Sequence, residues 1–88
     1  MKKFEQKQEV DIEYLDMMVC NFNYSIDNNL NEVYLGYTIL EDESFKEFWV
    51  EKKNWILTID ILMKNAIKLE EYEYAGQLKE IKEKLDNE

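Results

Sequence analysis

Apolar positions along this chain fall into four stretches, each readable by its period. Between residues 9 and 27, Ile12, Leu15, Met18, Val19, Phe22 and Ile26 recur at helical spacing. In the same stretch Cys20, Phe22, Tyr24 and Ile26 alternate with Asn21, Asn23 and Ser25, which is strand spacing. Residues 30–41 repeat the double signal. Leu30, Val33, Tyr34, Tyr37 and Leu40 fit a helix, while Val33, Leu35, Tyr37 and Ile39 fit a strand. Asn29 and Glu32 have the spacing of a helix capping box. The Asp27-Asn28-Asn29 stretch lacks the glycine that tight hairpin turns favour. Both points favour helices, with a β-hairpin turning at Asp27–Asn29 as the alternative.

Glu41-Asp42-Glu43-Ser44 is a break. Ser44 and Glu47 form a Ser-x-x-Glu capping box, and the acids just before it suit a helix N-terminus. From Phe45, a stripe through Phe48, Trp49, Lys52, Trp55, Ile56, Ile59, Leu62, Met63 and Ala66 predicts one long helix ending near Glu70. Its middle, Trp55–Met63, is apolar nearly all round and needs cover on more than one side, which predicts self-association, for instance as a homodimer. A last helix begins near Tyr72, with Ala75, Leu78, Ile81 and Leu85 inward and a Lys/Glu face outward. The expected fold is all-α: helices near 9–27, 30–41, 45–70 and 72–86, packed as a small bundle of two antiparallel helical hairpins. The alternative is α+β, with an N-terminal β-hairpin packed on a C-terminal helical hairpin. Residues 1–88 read as a single domain, with a polar start (1–8), an acidic half (9–43) and a long helical hairpin (44–88). The absence of Pro and the presence of only two Gly agree with long helices.

The corner of that last hairpin carries the most specific pattern in the chain. Ala66-Ile67, then Glu70, Glu71, Tyr72 and Glu73, then Ala75 and Leu78, stand in one run, with Lys79-Glu80 following. Over residues 59–86 this resembles the UVR (UvrB/UvrC-type) motif, a short antiparallel helical hairpin shared by excision-nuclease subunits, some Clp-type unfoldases and their adaptors. Gly76 stands in place of the motif's second alanine, lowering helix propensity or allowing a closer backbone approach. Lys79 stands in place of its arginine and loses the planar fork. Ile81 comes one residue early. The resemblance implies protein binding, often to another copy of the motif, and brings no catalytic residues. The rest of the chain carries no such resemblance.

Charge divides the chain. Residues 9–43 hold nine acids (Glu9, Asp11, Glu13, Asp16, Asp27, Glu32, Glu41, Asp42, Glu43) and no base, within a net charge of −9. Such a block repels phosphate backbones, and every base is Lys, so direct nucleic-acid binding is not expected. There is no His and no Gly-rich phosphate loop, so no imidazole-based catalysis, cofactor or metal site is expected, and the protein reads as a non-enzyme. Cys20 alone forms no internal disulfide, and its apolar neighbours predict a packed thiol. With no apolar run of membrane-spanning length and no leader pattern, the expectation is a cytoplasmic protein with no membrane contact.

Two functions follow as expectations. The first is a non-enzymatic protein–protein interaction module or adaptor acting through the UVR-like hairpin. Its partner-binding candidates are Trp49, Trp55, Tyr72, Tyr74, Gly76 and Leu78, since Tyr and Trp are frequent interface anchors. The second is a small acidic inhibitor of a nucleic-acid-handling enzyme, using an acidic surface of Asp11, Glu13, Asp16, Asp27, Glu32, Glu41, Asp42 and Glu43 to imitate nucleic-acid charge. A Lys-, Asn- and Ile-rich composition without Arg or His suits an AT-rich bacterial or phage genome.

Overall fold

In the computed structural model, which describes residues 11–87, the elements run α1 (Ile12–Asp27), β1 (Glu32–Ile39), β2 (Phe45–Glu51), a 3-10 turn (Lys52–Asn54), α2 (Trp55–Lys68) and α3 (Tyr72–Asp86). The expected polar start at 1–8 lies outside the described residues. The fold is α+β, so the all-α expectation is overturned by the antiparallel pair β1–β2. The alternative hairpin is misplaced as well. Asp27–Asn29 ends a helix, and the strands turn at Glu41–Glu43.

α1 starts where Asp11 Oδ1 accepts from the Tyr14 amide at 2.8 Å, an N-cap. Leu15, Met18, Val19 and Phe22 form its buried stripe. The phase of that stripe puts Cys20 on the opposite side, so the thiol is exposed rather than packed. The helix ends in a Schellman arrangement: Leu30 N–H donates to the Ser25 carbonyl at 2.8 Å and Asn29 N–H to that of Ile26 at 3.2 Å, with Asn29 left-handed (φ 55°). Asparagine tolerates that backbone, which is why the Asn-rich segment stops a helix instead of capping a new one.

Beyond it, β-branched and aromatic residues pair across two strands. Leu40 N–H reaches the Ser44 carbonyl and Glu43 N–H that of Leu40, with Glu43 left-handed (φ 70°). This is a three-residue hairpin loop. Ser44 does not cap a helix. Its hydroxyl and amide both donate to Asp42 Oδ1, at 2.6 and 3.1 Å, and they hold that carboxyl below the usual carboxylate range. Residues 45–51 of the expected long helix are therefore strand, and the helix begins only at Trp55.

α1 covers one edge of β1 with polar side chains. Ser25 Oγ donates to the Glu32 carbonyl at 2.9 Å, Asn21 Nδ2 to that of Tyr34 at 3.0 Å, and Tyr14 Oη to that of Leu35 at 2.9 Å. Strand-edge carbonyls are thus satisfied without a third strand. The core lies beneath: Leu15, Met18 and Phe22 from α1, Val33 from β1, Trp55, Ile59 and Leu62 from α2, and Leu78 and Ile81 from α3.

α2 and α3 run antiparallel, as the 2.9 Å ion pair between Lys82 Nζ and Asp60 Oδ1 shows. They reverse through a second Schellman arrangement, with Glu71 N–H donating to the Ala66 carbonyl and Glu70 N–H to that of Ile67. Glu70 takes the left-handed position (φ 60°) where glycine is the usual residue. Gly76 is exposed on α3, and a Cβ there would meet nothing within 4 Å. No close helix approach depends on it. Gly76→Ala is expected to raise stability by about 0.5–1 kcal/mol, read as a higher urea midpoint at unchanged slope.

Candidate protein-binding face of the hairpin

The two faces of the β-hairpin differ sharply. Val33 and Val50 pair across the strands towards the helices, and Leu35 packs on the same core. The opposite face is set by the register: Tyr34 lies opposite Trp49, Tyr37 opposite Glu47, Ile39 opposite Phe45, and Glu32 opposite Glu51. Tyr34 and Trp49 meet edge to face at 5.1 Å between ring centroids, and Tyr37 and Phe45 do so at 5.9 Å. Such cross-strand aromatic pairs stiffen the ribbon.

These side chains hold the hairpin together and still leave much of themselves in water. Tyr37 is 62% exposed, Phe45 64%, Trp49 49% and Ile39 48%. Aromatic side chains half uncovered at this density leave on the order of 300–400 Å² of apolar surface around Glu47, comparable to the largest apolar patch on a typical monomer, which is often functional.

Glu47 sits on the same face with Phe45 and Trp49 as its nearest same-side neighbours along β2. It makes no ion pair among the described residues. Partial desolvation, then the charge of Glu47 and the neighbouring Tyr37, push the Tyr34 hydroxyl above the usual phenol range.

The expected partner-binding residues separate into three settings. Trp49 belongs to the exposed face just described, and Tyr72 is 63% exposed at the start of α3. Tyr74 is half-buried and donates to Asp16 Oδ1 at 3.2 Å; desolvation and that carboxylate raise its hydroxyl pKa. Trp55 and Leu78 are wholly buried and offer no surface, and Gly76 is exposed without a close neighbour. Tyr72 stands at the first position of α3. Like Ile67 and Leu69 around the α2–α3 turn, it is exposed. Leu57 and Ile61 are exposed on the outer side of α2.

All eight residues of the expected acidic surface are exposed, but they do not form one row. Asp11, Glu13, Asp16 and Asp27 lie on or beside α1, Glu32 begins β1, and Glu41, Asp42 and Glu43 form the hairpin loop. Asp11 and Asp42 already serve as a helix cap and a turn brace.

Sequence reasoning passed over Tyr34, Tyr37, Ile39, Phe45 and Glu47 as site residues. The usable signal was the alternation Phe45, Glu47, Trp49 against Lys46, Phe48, Val50, hidden by an equally good helical stripe. Among the described residues no three metal-ligating side chains cluster, and no helix is long and apolar enough to cross a membrane. Comparison with protein-family models, with curated proteins and with solved structures gave no match.

Proposed function

We propose that this protein is a non-enzymatic protein-binding module that docks through the outer face of its β-hairpin. The observation that carries the reading is the exposed double aromatic pair, Tyr34–Trp49 and Tyr37–Phe45, set on a rigid ribbon braced from behind by α1 and Trp55. Rigid aromatic anchors lose little side-chain freedom on binding and dominate interface energetics.

The test uses the full chain as bait in an extract of the source organism, followed by affinity measurement with the purified partner. Trp49→Ala combined with Tyr37→Ser is expected to weaken binding by about 30-fold or more. Leu57→Ser on α2 is expected to leave it unchanged. Unaltered affinity of the double variant would sink the reading.

A second reading keeps the UVR-like turn as the docking corner. It is favoured by Glu70 holding a left-handed backbone between exposed Ile67, Leu69 and Tyr72, since strain kept at a surface turn is a pointer to use. The same experiment separates the two, because here Tyr72→Ala, and not the hairpin variant, removes the partner.

A further inference from the structure

We propose that the hairpin face takes a basic protein segment, seating a lysine or arginine side chain against Glu47 between the two aromatic pairs. The proposal rests on the docking reading above and adds the chemistry of the partner.

Strand geometry places Phe45, Glu47 and Trp49 about 7 Å apart in succession on one face, and Tyr37 lies directly across from the carboxylate. No partner can cover Trp49, Tyr37 and Phe45 together without also covering Glu47. Among the described residues that carboxylate has no cation of its own. Burying it unpaired carries a heavy desolvation penalty, so an apolar partner would lose much of what the aromatic rings offer. A cation brought by the partner removes the penalty, and the aromatic faces around it add cation–π attraction.

Most charges around Glu47 are negative as well, with one cation at the base of the hairpin, where Lys53 Nζ lies 3.6 Å from Glu51 Oε2. Glu32 and Glu51 face each other at the base of the same face, and Glu41, Asp42 and Glu43 form the loop at its tip. The lysine within β2, Lys46, pairs with Thr38 on the other face. A second copy of this chain would press like charges together, and nucleic acid or an anionic lipid surface would be repelled.

The probes are three labelled twelve-residue peptides of alternating valine with arginine, glutamine or glutamate, titrated into the full-length protein labelled with ¹⁵N. The arginine peptide is expected to bind, with shift changes concentrated on residues 34–39 and 45–49. Glu47→Gln keeps the shape of the side chain and is expected to weaken binding by about tenfold. Asp16→Asn, also at an exposed carboxylate but on α1, is expected to change it less than twofold.

Equal weakening by the two substitutions, or shifts scattered over α1 and the loop, would overturn the proposal as diffuse charge attraction. So would absence of binding. If the glutamine peptide bound as tightly as the arginine peptide and Trp49→Ala abolished both, the docking reading would stand and the basic partner would fall. If no peptide's binding responded to Trp49→Ala, both would fall. Concentration-dependent self-association lost in Trp49→Ala would overturn the proposal in favour of a second copy.

Discussion

Replacing Trp55 with alanine is expected to remove about 3–5 kcal/mol of stability, a large share of the roughly 5–15 kcal/mol that holds a typical domain together. Trp55 is fully buried and meets Phe22 of α1 edge to face, at 5.7 Å between centroids and 87° between planes. Its indole N–H donates to the Val50 carbonyl of β2 at 2.9 Å. One side chain thus ties α2 to α1 by packing and to the hairpin by a hydrogen bond. Truncation opens a cavity where all three elements meet, and a chain this small has little core to collapse into it. Trp55→Phe keeps a ring but loses the donor, and is expected to cost about 1–2 kcal/mol. Urea denaturation followed by far-UV circular dichroism checks both, with Trp49 remaining as a fluorescent reporter of the hairpin. A Trp55→Ala variant melting within a few degrees of the parent would contradict the core as described.

Trp55 also shows what the sequence made legible and what it hid. Its place in the stripe Trp55, Ile59, Leu62, Ala66 was readable, and so were the α1 stripe and the helical reversal just before Tyr72, because these patterns are local. The hairpin was hidden because its determinants are not local. Phe45, Phe48, Trp49 and Lys52 extend the α2 stripe backwards at faultless helical spacing, and Ser44-x-x-Glu47 imitates a helix start. What overrules them is pairing with β1, itself held by Tyr14, Asn21 and Ser25 from a helix up to 21 residues away in sequence. The candidate site suffered most from this. Under a helical reading Trp49 and Trp55 looked like equivalent anchors, whereas strand pairing turns Trp49 to solvent and the turn at Lys52–Asn54 sends Trp55 into the core.

Gly36→Val is expected to damage both stability and the proposed docking face. The pairing shifts between Tyr34 and Gly36, leaving Leu35 as an extra residue on β1, a β-bulge. Leu35 packs on the core, and its carbonyl accepts the Tyr14 hydroxyl. Gly36 next to it has φ 132°, a backbone that L residues rarely adopt and β-branched ones least of all. Nothing crowds the site, since an added Cβ would meet no atom within 4 Å, so the cost is backbone strain alone, about 1–3 kcal/mol. The chain can relieve the strain by regularising the strand. That slips the register beyond Tyr34 by one residue and turns Tyr37 and Ile39 to the opposite face. Tyr37 would then leave both Phe45 and Glu47. The expected result is a lower urea midpoint together with loss of the Tyr37–Glu47 and Ile39–Phe45 cross-strand NOEs, while NOEs between Val33 and Val50 persist. Intact NOEs and unchanged stability would show that the bulge does not need its glycine. If stability falls but the NOEs survive, the strained register holds even with valine, and binding at the face should be kept.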